Sequence, residues 1–352
     1  SMGAGGGLKV DAAVVSPLAT AADAAIRLQG LGYDGCWTAE INHDPFLPLA
    51  LAAEHTTSID LGTSIAVAFA RNPMSLAQIG WDLRDYSRGR LILGLGSQIK
   101  PHIDKRFSMP WGKPVARMRE FVLAMREIWS CWRNDTPLDF HGDFYTHTLM
   151  TPMFVPPAHS FRDPKVFVAA VGDRMTEMVG EVADGLLAHA FTTQRYLREV
   201  TVPTLSRGLQ RAGRARADVQ LACPVFVVTG RDDNEVATAA TGTRKQIAFY
   251  ASTPAYRRVL ELHGWGELQT DLHRLSRAGR WDEMGALIDD TILDEFAVVA
   301  PVQDVVTKIR SRCAGLIDRV LVGFPPTVDE ATVIDVVAEL RCGASSTKKE
   351  SG

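Results

Sequence analysis

Cysteine is scarce and scattered. The five in 352 residues (Cys36, Cys131, Cys223, Cys313 and Cys342) form no CxxC pair, which argues against a zinc knuckle or a disulfide framework and suits a reducing cytoplasm. The nine histidines fall into no HxH or HxxxH spacing, so no metal site is expected. No apolar run approaches the ~20 residues of a membrane span. The net charge of −3, without a basic cluster along the chain, makes binding to a nucleic-acid backbone a poor reading. Motifs are also missing. There is no Walker loop and no GxSxG elbow, and Gly94-Leu95-Gly96-Ser97 falls short of a dinucleotide fingerprint. No lysine ends an apolar run, which weakens a sugar-phosphate isomerase reading.

What is present is a repeated unit. In Tyr86–Ser97 a polar helical segment stops at Gly89, an apolar run Leu91–Leu95 follows, and small residues with a hydroxyl close it. Comparable runs are Val10–Ser16, Asp34–Glu40, Ile59–Phe69, Lys165–Gly172, Asp184–Phe191, Gln220–Gly230 and Arg319–Phe324. Between them lie amphipathic stretches with helix-start signals, such as Asp44-Pro45 and Asn72-Pro73. Eight buried strands alternating with helices predict a closed (β/α)8 TIM barrel, one domain over residues 9–342. Residues 231–300 form a helical insertion between strands seven and eight, near the mouth. Residues 1–8 read as a flexible lead-in or tag remnant rather than a signal peptide, and 343–352 as a flexible tail.

In such a barrel, chemistry sits at the carboxyl ends of the strands. That rule selects Glu40, Asn42 and His43 after strand two, and Ser64, Ile65, Ala66, Ala68 and Arg71 on or after strand three. It adds Gly96, Ser97, Gln98 and His102 after strand four, Gly172, Asp173 and Arg174 after strand five, and His189 and Thr192 from strand six. Gly94 and Gly96 fit equally well as clearance for a flat ligand or as relief of crowding in a barrel core. Glu40 reads as a site acid or as a surface strand-end acid. His189 reads first as a hydrogen-bonded core residue and second as a ligand contact.

From Val10 to Phe324 the chain resembles the bacterial luciferase-like monooxygenase superfamily, and more closely its actinobacterial branch of coenzyme F420-dependent oxidoreductases. The resemblance is carried by Gly35–Glu40, Leu61–Ala68, Ser87–Ser97, Arg117–Glu120, Gly172 and Gly180–Gly185. It implies a cytoplasmic oxidoreductase that moves a hydride between the deazaflavin F420 and a small organic substrate, and a homodimer through the helices Pro45–Thr57 and Pro73–Tyr86. The same-fold alternatives are an FMN-dependent monooxygenase and a non-catalytic barrel that carries a flavin or deazaflavin. The ring would lie against strand three (Ser64, Ile65, Ala66), behind which relatives carry a non-prolyl cis peptide matching Ser64–Ile65. Gly96, Ser97 and His189 would complete the cofactor site, with the phosphate at Gly172, Asp173 and Arg174. Relatives place a catalytic histidine directly after the strand-two acid. Here Glu40 is followed by Ile41, and His43 comes two residues later, so Glu40 and His43 are the implied acid–base pair, with His102 and His189 as substitutes.

Overall fold

Runs buried on both faces need a sheet covered by helices, and each apolar run becomes a parallel strand of such a sheet. A computed structural model describes residues 7–14 and 17–343. Most of the expected lead-in, nearly all of the tail, and Val15 and Ser16 at the end of the first run lie outside the described residues.

The strands are β1 (Lys9–Ala13), β2 (Gly35–Thr38), β3 (Asp60–Thr63), β4 (Ala66–Val67), β5 (Leu91–Gly96), an outlying antiparallel hairpin β6 (Phe140–His141) and β7 (Thr146–His147), β8 (Lys165–Ala169), β9 (Gly185–Leu187), β10 (Gln220–Pro224), β11 (Phe226–Val228), β12 (Ala297–Val299) and β13 (Arg319–Leu321). Their pairing runs β1–β2–β3, then β3 and β4 both against β5, then β8, β9, β10 and β13, and back to β1. The ring is therefore closed, with β3 and β4 sharing one of eight positions. The helices that cover it include Leu18–Gly30, Leu47–His55, Pro73–Tyr86, Pro114–Asn134, Asp173–Val182, Val202–Arg211, Val302–Cys313 and Glu330–Arg341. Their starts follow the signals in the sequence. Asn72 accepts a hydrogen bond from the Ser75 N–H ahead of Pro73, and the Asp44 carboxylate accepts from the N–H groups of Phe46 and Leu47.

Inside the ring, Trp37, Ile92, Phe167, Leu187 and Ala222 form an apolar cluster of their own. Gly62 is required there, because a Cβ would stand 2.5 Å from the Trp37 ring. At its polar end lies an ion pair. Arg319 reaches the two oxygens of Asp11 at 2.8 and 2.9 Å and Asp60 at 3.1 Å, and Trp37 Nε1 donates to Asp11 at 3.0 Å. The Asp11 and Arg319 side chains are 1% and 3% exposed. Burial works against the Arg319 charge, but Asp11 and Asp60 outweigh it and hold the guanidinium above its ordinary pKa.

Three expectations need correction. The run Ile59–Phe69 is two strands, not one, divided at the Ser64–Ile65 bond, which is cis. The run Gln220–Gly230 also divides. Val225 makes its backbone bond to Leu321, after which β11 leaves the barrel and pairs with β12. The 231–300 segment is therefore not wholly helical, since β12 closes it as a strand; its helices are Asp233–Ala251, Arg257–Leu262, Gly266–Arg277, Trp281–Met284 and Asp290–Phe296. It has a separate apolar core, including Ile247, Leu260, Leu272 and Phe296, seated on Phe191 and Val228. Phe191 and Phe296 stack at 4.3 Å. The half-buried Arg312 guanidinium ties the two parts together by donating to the carbonyls of Thr192, Glu295 and Phe296.

Replacing Arg319 by Met strands the Asp11 carboxylate in the barrel and is expected to cost about 3–5 kcal/mol. Replacing Asp11 and Arg319 together with apolar residues is expected to cost less. Denaturant midpoints of the two variants check the ordering.

Candidate active site

The carboxyl ends of the strands open into a cavity of about 650 Å³. One wall is Ser64 and Ile65 at the break between β3 and β4, with Gly96, Ser97 and Gln98 leaving β5. The floor and second wall come from Ala169 to Gly172 after β8 and Leu187 to Ala190 after β9. The insertion supplies the third wall, Tyr250 and Tyr256.

The break is held from both sides. Ser64 N–H donates to the Thr38 carbonyl at 2.7 Å, and Ile65 O accepts from Glu40 N–H at 3.1 Å. The two glycines of β5 serve this arrangement. A Cβ at Gly94 would stand 1.6 Å from the Thr63 carbonyl oxygen, and one at Gly96 would stand 2.6 Å from the Ile65 side chain. Their clearance is thus filled by the protein itself, and Ile65 becomes an apolar face over Gly96. Gly172 differs, since a Cβ there would meet nothing within 4 Å. It is the N-cap of helix Asp173–Val182, and no side chain caps that end. The free N–H groups and the positive end of the helix dipole form an anion seat at the cavity edge. Asp173 in that first turn is neutralised by Arg258 at 3.0 Å.

His189 is the best-defined polar group. The Phe191 N–H donates to Nδ1 at 2.9 Å, so the neutral ring carries its proton on Nε2. The ring stacks on Tyr256 at 4.5 Å and meets Tyr250 edge-on at 4.7 Å. Burial lowers its pKa from 6.5 to about 4. At neutral pH it is a fixed, uncharged N–H donor.

Of the residues expected in the site, the structure brings Ser64, Ile65, Gly96, Ser97, Gly172 and His189 to one cavity. Ala66 is fully buried in β4 and is absent from the lining. Asp173 is held at the rim, and Arg174 lines a different cavity of about 580 Å³ with Lys113, Arg119 and Arg211. Glu40 accepts from the Val67 N–H at 2.6 Å and from Arg71 at 2.8 and 3.1 Å, so it clamps the exit of β2 to β4. Arg71 also bonds the Val67 carbonyl and lies over the Phe46 ring. His43 is exposed on the loop and is absent from the lining, as is His102, which contacts Arg106. Tyr250 and Tyr256 were not singled out in the sequence. Their one signal is the aromatic cluster Phe249-Tyr250 with Tyr256 six residues on, within a segment otherwise patterned for its own core.

A parallel (β/α)8 barrel with a ligand-sized cavity at its carboxyl face has the architecture on which enzymes of this fold build their active sites. The chain belongs to the luciferase-like monooxygenase family, whose model matches residues 3–319. It is 61% identical over 320 residues to an uncharacterized protein of Mycobacterium tuberculosis, covering 91% of this chain and 94% of that one. It is 27% identical over 291 residues, 78% of this chain and 82% of the relative, to a second M. tuberculosis protein provisionally named a coenzyme F420-dependent oxidoreductase. Among solved structures, the coenzyme F420-dependent tetrahydromethanopterin reductase of Methanopyrus kandleri superposes with a TM-score of 0.74 at 21% identity, covering 95% of this chain and 97% of that one. Among the described residues, no group of three metal-ligating side chains occurs, and no helix is long and apolar enough to cross a membrane.

Two measurements test this geometry. The His189 imidazole is expected to titrate near pH 4 by NMR; titration near 6.5 would contradict its burial. Because its folded value lies below the ordinary one, the unfolded chain binds the extra proton between the two. The stability this group contributes is therefore present above pH 6.5 and is lost as pH falls toward 4. Separately, Glu40→Gln removes the closer of the two carboxylates that face Arg71, leaving Asp44 at 3.5 Å, and is expected to destabilise the fold by about 1–2 kcal/mol, read from the thermal or denaturant midpoint.

Proposed function

We propose that this chain is a coenzyme F420-dependent oxidoreductase that exchanges a hydride between the deazaflavin and a small organic substrate. The observation that carries the reading is the cavity itself. It joins an apolar face at Ile65 to an open helix N-terminus at Gly172, which suits a flat ring with a phosphate-bearing side chain. The family membership supports an oxidoreductase, and the name of the M. tuberculosis relative supports F420 as the cofactor to test first. When bound, a deazaflavin supplies hydride exchange at its ring carbon.

The chain's own residues divide the remaining work. Ser64, Ile65 and Gly96 would bed the ring, and the N–H groups at the start of helix Asp173–Val182 would hold the phosphate, with Arg258 offsetting the Asp173 carboxylate. Glu40 and Arg71 keep the β3–β4 break in position from behind. His189 would present its Nε2 proton to a substrate oxygen and polarise it as a neutral donor. That assigns it the role expected of a histidine after Glu40. Tyr250 and Tyr256, carried by the insertion, would screen the reacting atoms from water.

Fluorescence titration of the purified protein with F420 and, separately, with FMN tests the reading. Saturable F420 binding at micromolar concentration is expected. Binding of FMN alone would point to a flavin monooxygenase, and binding of neither would refute the proposal. His189→Ala is expected to keep F420 binding and lose turnover on the order of a hundredfold.

A further inference from the structure

The cavity described above is built without charge. Among the described residues, its lining contains no Asp, Glu, Lys or Arg side chain. The charged groups around it are committed elsewhere. Arg258 holds Asp173 at the rim, Arg71 holds Glu40 behind the β3–β4 break, and Arg319 holds Asp11 and Asp60 below the Trp37 layer. Arg106 donates to the Ile41 carbonyl and contacts His102.

The polar side chains that remain are neutral: Ser64, Ser97 and Gln98 on the β4–β5 side, where Ser97 donates to the Gln98 carbonyl and Gln98 Oε1 accepts from the Ile99 N–H, and across from them, where the segment after β9 meets the insertion, three grouped donors, His189 Nε2–H and the hydroxyls of Tyr250 and Tyr256. None of the three atoms has a hydrogen-bond partner among the described residues, whereas His189 Nδ1 is tied to the Phe191 amide. Ring contacts hold them together, with His189 stacked on Tyr256 and edge-on to Tyr250, and Tyr250 and Tyr256 perpendicular at 6.3 Å. Around them the wall is apolar, formed by Leu187, Ala190, Pro224 and Met175. Such a wall matches an oxygen atom on an apolar skeleton. An ionised carboxylate or phosphate entering there would give up its hydration and meet no counter-charge.

We propose that the substrate side of this cavity accepts an uncharged apolar carbonyl compound or the corresponding alcohol, gripped through its oxygen by His189, Tyr250 and Tyr256, and discriminates against anionic analogues of the same skeleton. This rests on the oxidoreductase reading only in placing a substrate in the cavity. The discrimination belongs to the lining.

The test is a panel of matched neutral and anionic ketones (aliphatic, alicyclic and aromatic, the last being acetophenone against para-acetylbenzoate). Each is titrated into the F420-loaded protein by bound-cofactor fluorescence and into the unloaded protein by thermal midpoint, the latter in saturating inorganic phosphate so that the Gly172 helix end is occupied. In at least one pair the neutral ketone is expected to bind and its carboxylate partner to bind on the order of a hundredfold more weakly. Tyr256→Phe is expected to weaken the neutral ligand about tenfold without admitting the carboxylate. Met175→Arg, at the partly exposed edge of the lining, is expected to raise carboxylate affinity while its own unfolding midpoint stays close to that of the parent. A panel in which no neutral member binds, or in which a carboxylate binds as tightly as its neutral partner, overturns the inference. Failure of both F420 and FMN to bind overturns the oxidoreductase reading instead, and the thermal comparison on the unloaded protein still decides the present one.

Discussion

The buried pair Asp11–Arg319, braced by Asp60 and Trp37 Nε1, is the constraint on which the rest of the barrel depends. It joins the first and last barrel strands across the seam where the ring closes, and through Asp60 it reaches the third. Two desolvated charges in such a place are tolerable because nearly every lone pair and N–H is used. Their position also fixes the register of what lies above. Trp37 is tied to the pair by its indole N–H, its ring lies over Gly62, and Phe167 packs against it at 5.8 Å. The lower barrel is thereby nearly filled, with about 20 Å³ left beside the pair against about 650 Å³ at the carboxyl face.

That face is built from backbone irregularity more than from reactive side chains. The break between β3 and β4 turns Ile65 over Gly96, and the Glu40–Arg71 pair props the break from outside. The expected strand-two acid is thus part of the frame. The polar end of the cavity falls to His189 and to two tyrosines supplied by the insertion. Arg312 and the Phe191–Phe296 stack couple that insertion to the segment after β9, so the part of the chain bearing Tyr250 and Tyr256 is seated on the loop that bears His189.

The barrel was legible because a buried parallel strand writes an apolar run, and several runs here, such as Leu91–Ser97 and Lys165–Gly172, close in small or polar residues. The breaks were harder to see. Pro224, the last residue of β10, is the one mark of the division between β10 and β11, and the apolar Val225-Phe226 that follows hides it from a reading by hydrophobicity alone. The three residues of β12 carry no period long enough to stand out from the helices before them. In the site, Ser64, Ile65, Gly96, Ser97, Gly172 and His189 could be placed because strand ends are visible in sequence. The partner of Glu40 could not, since the pairing with Arg71 spans thirty-one positions and depends on the register of β3 and β4. Arg174 shows the same limit. It lies two residues from Gly172 in sequence, yet the helix turns its side chain toward a different cavity.

The central claim is that a deazaflavin ring lies on Ile65 with its phosphate at the Gly172 helix end and His189 on the substrate side. A crystal structure of the protein grown with coenzyme F420 tests this most directly. The account predicts ring density against the Ser64–Ile65 wall, phosphate density within hydrogen-bond reach of the first amides of helix Asp173–Val182, and His189 Nε2 facing the space beside the ring. Cofactor density elsewhere, in the Arg174 cavity for example, or a clear cavity at saturating F420, would contradict it.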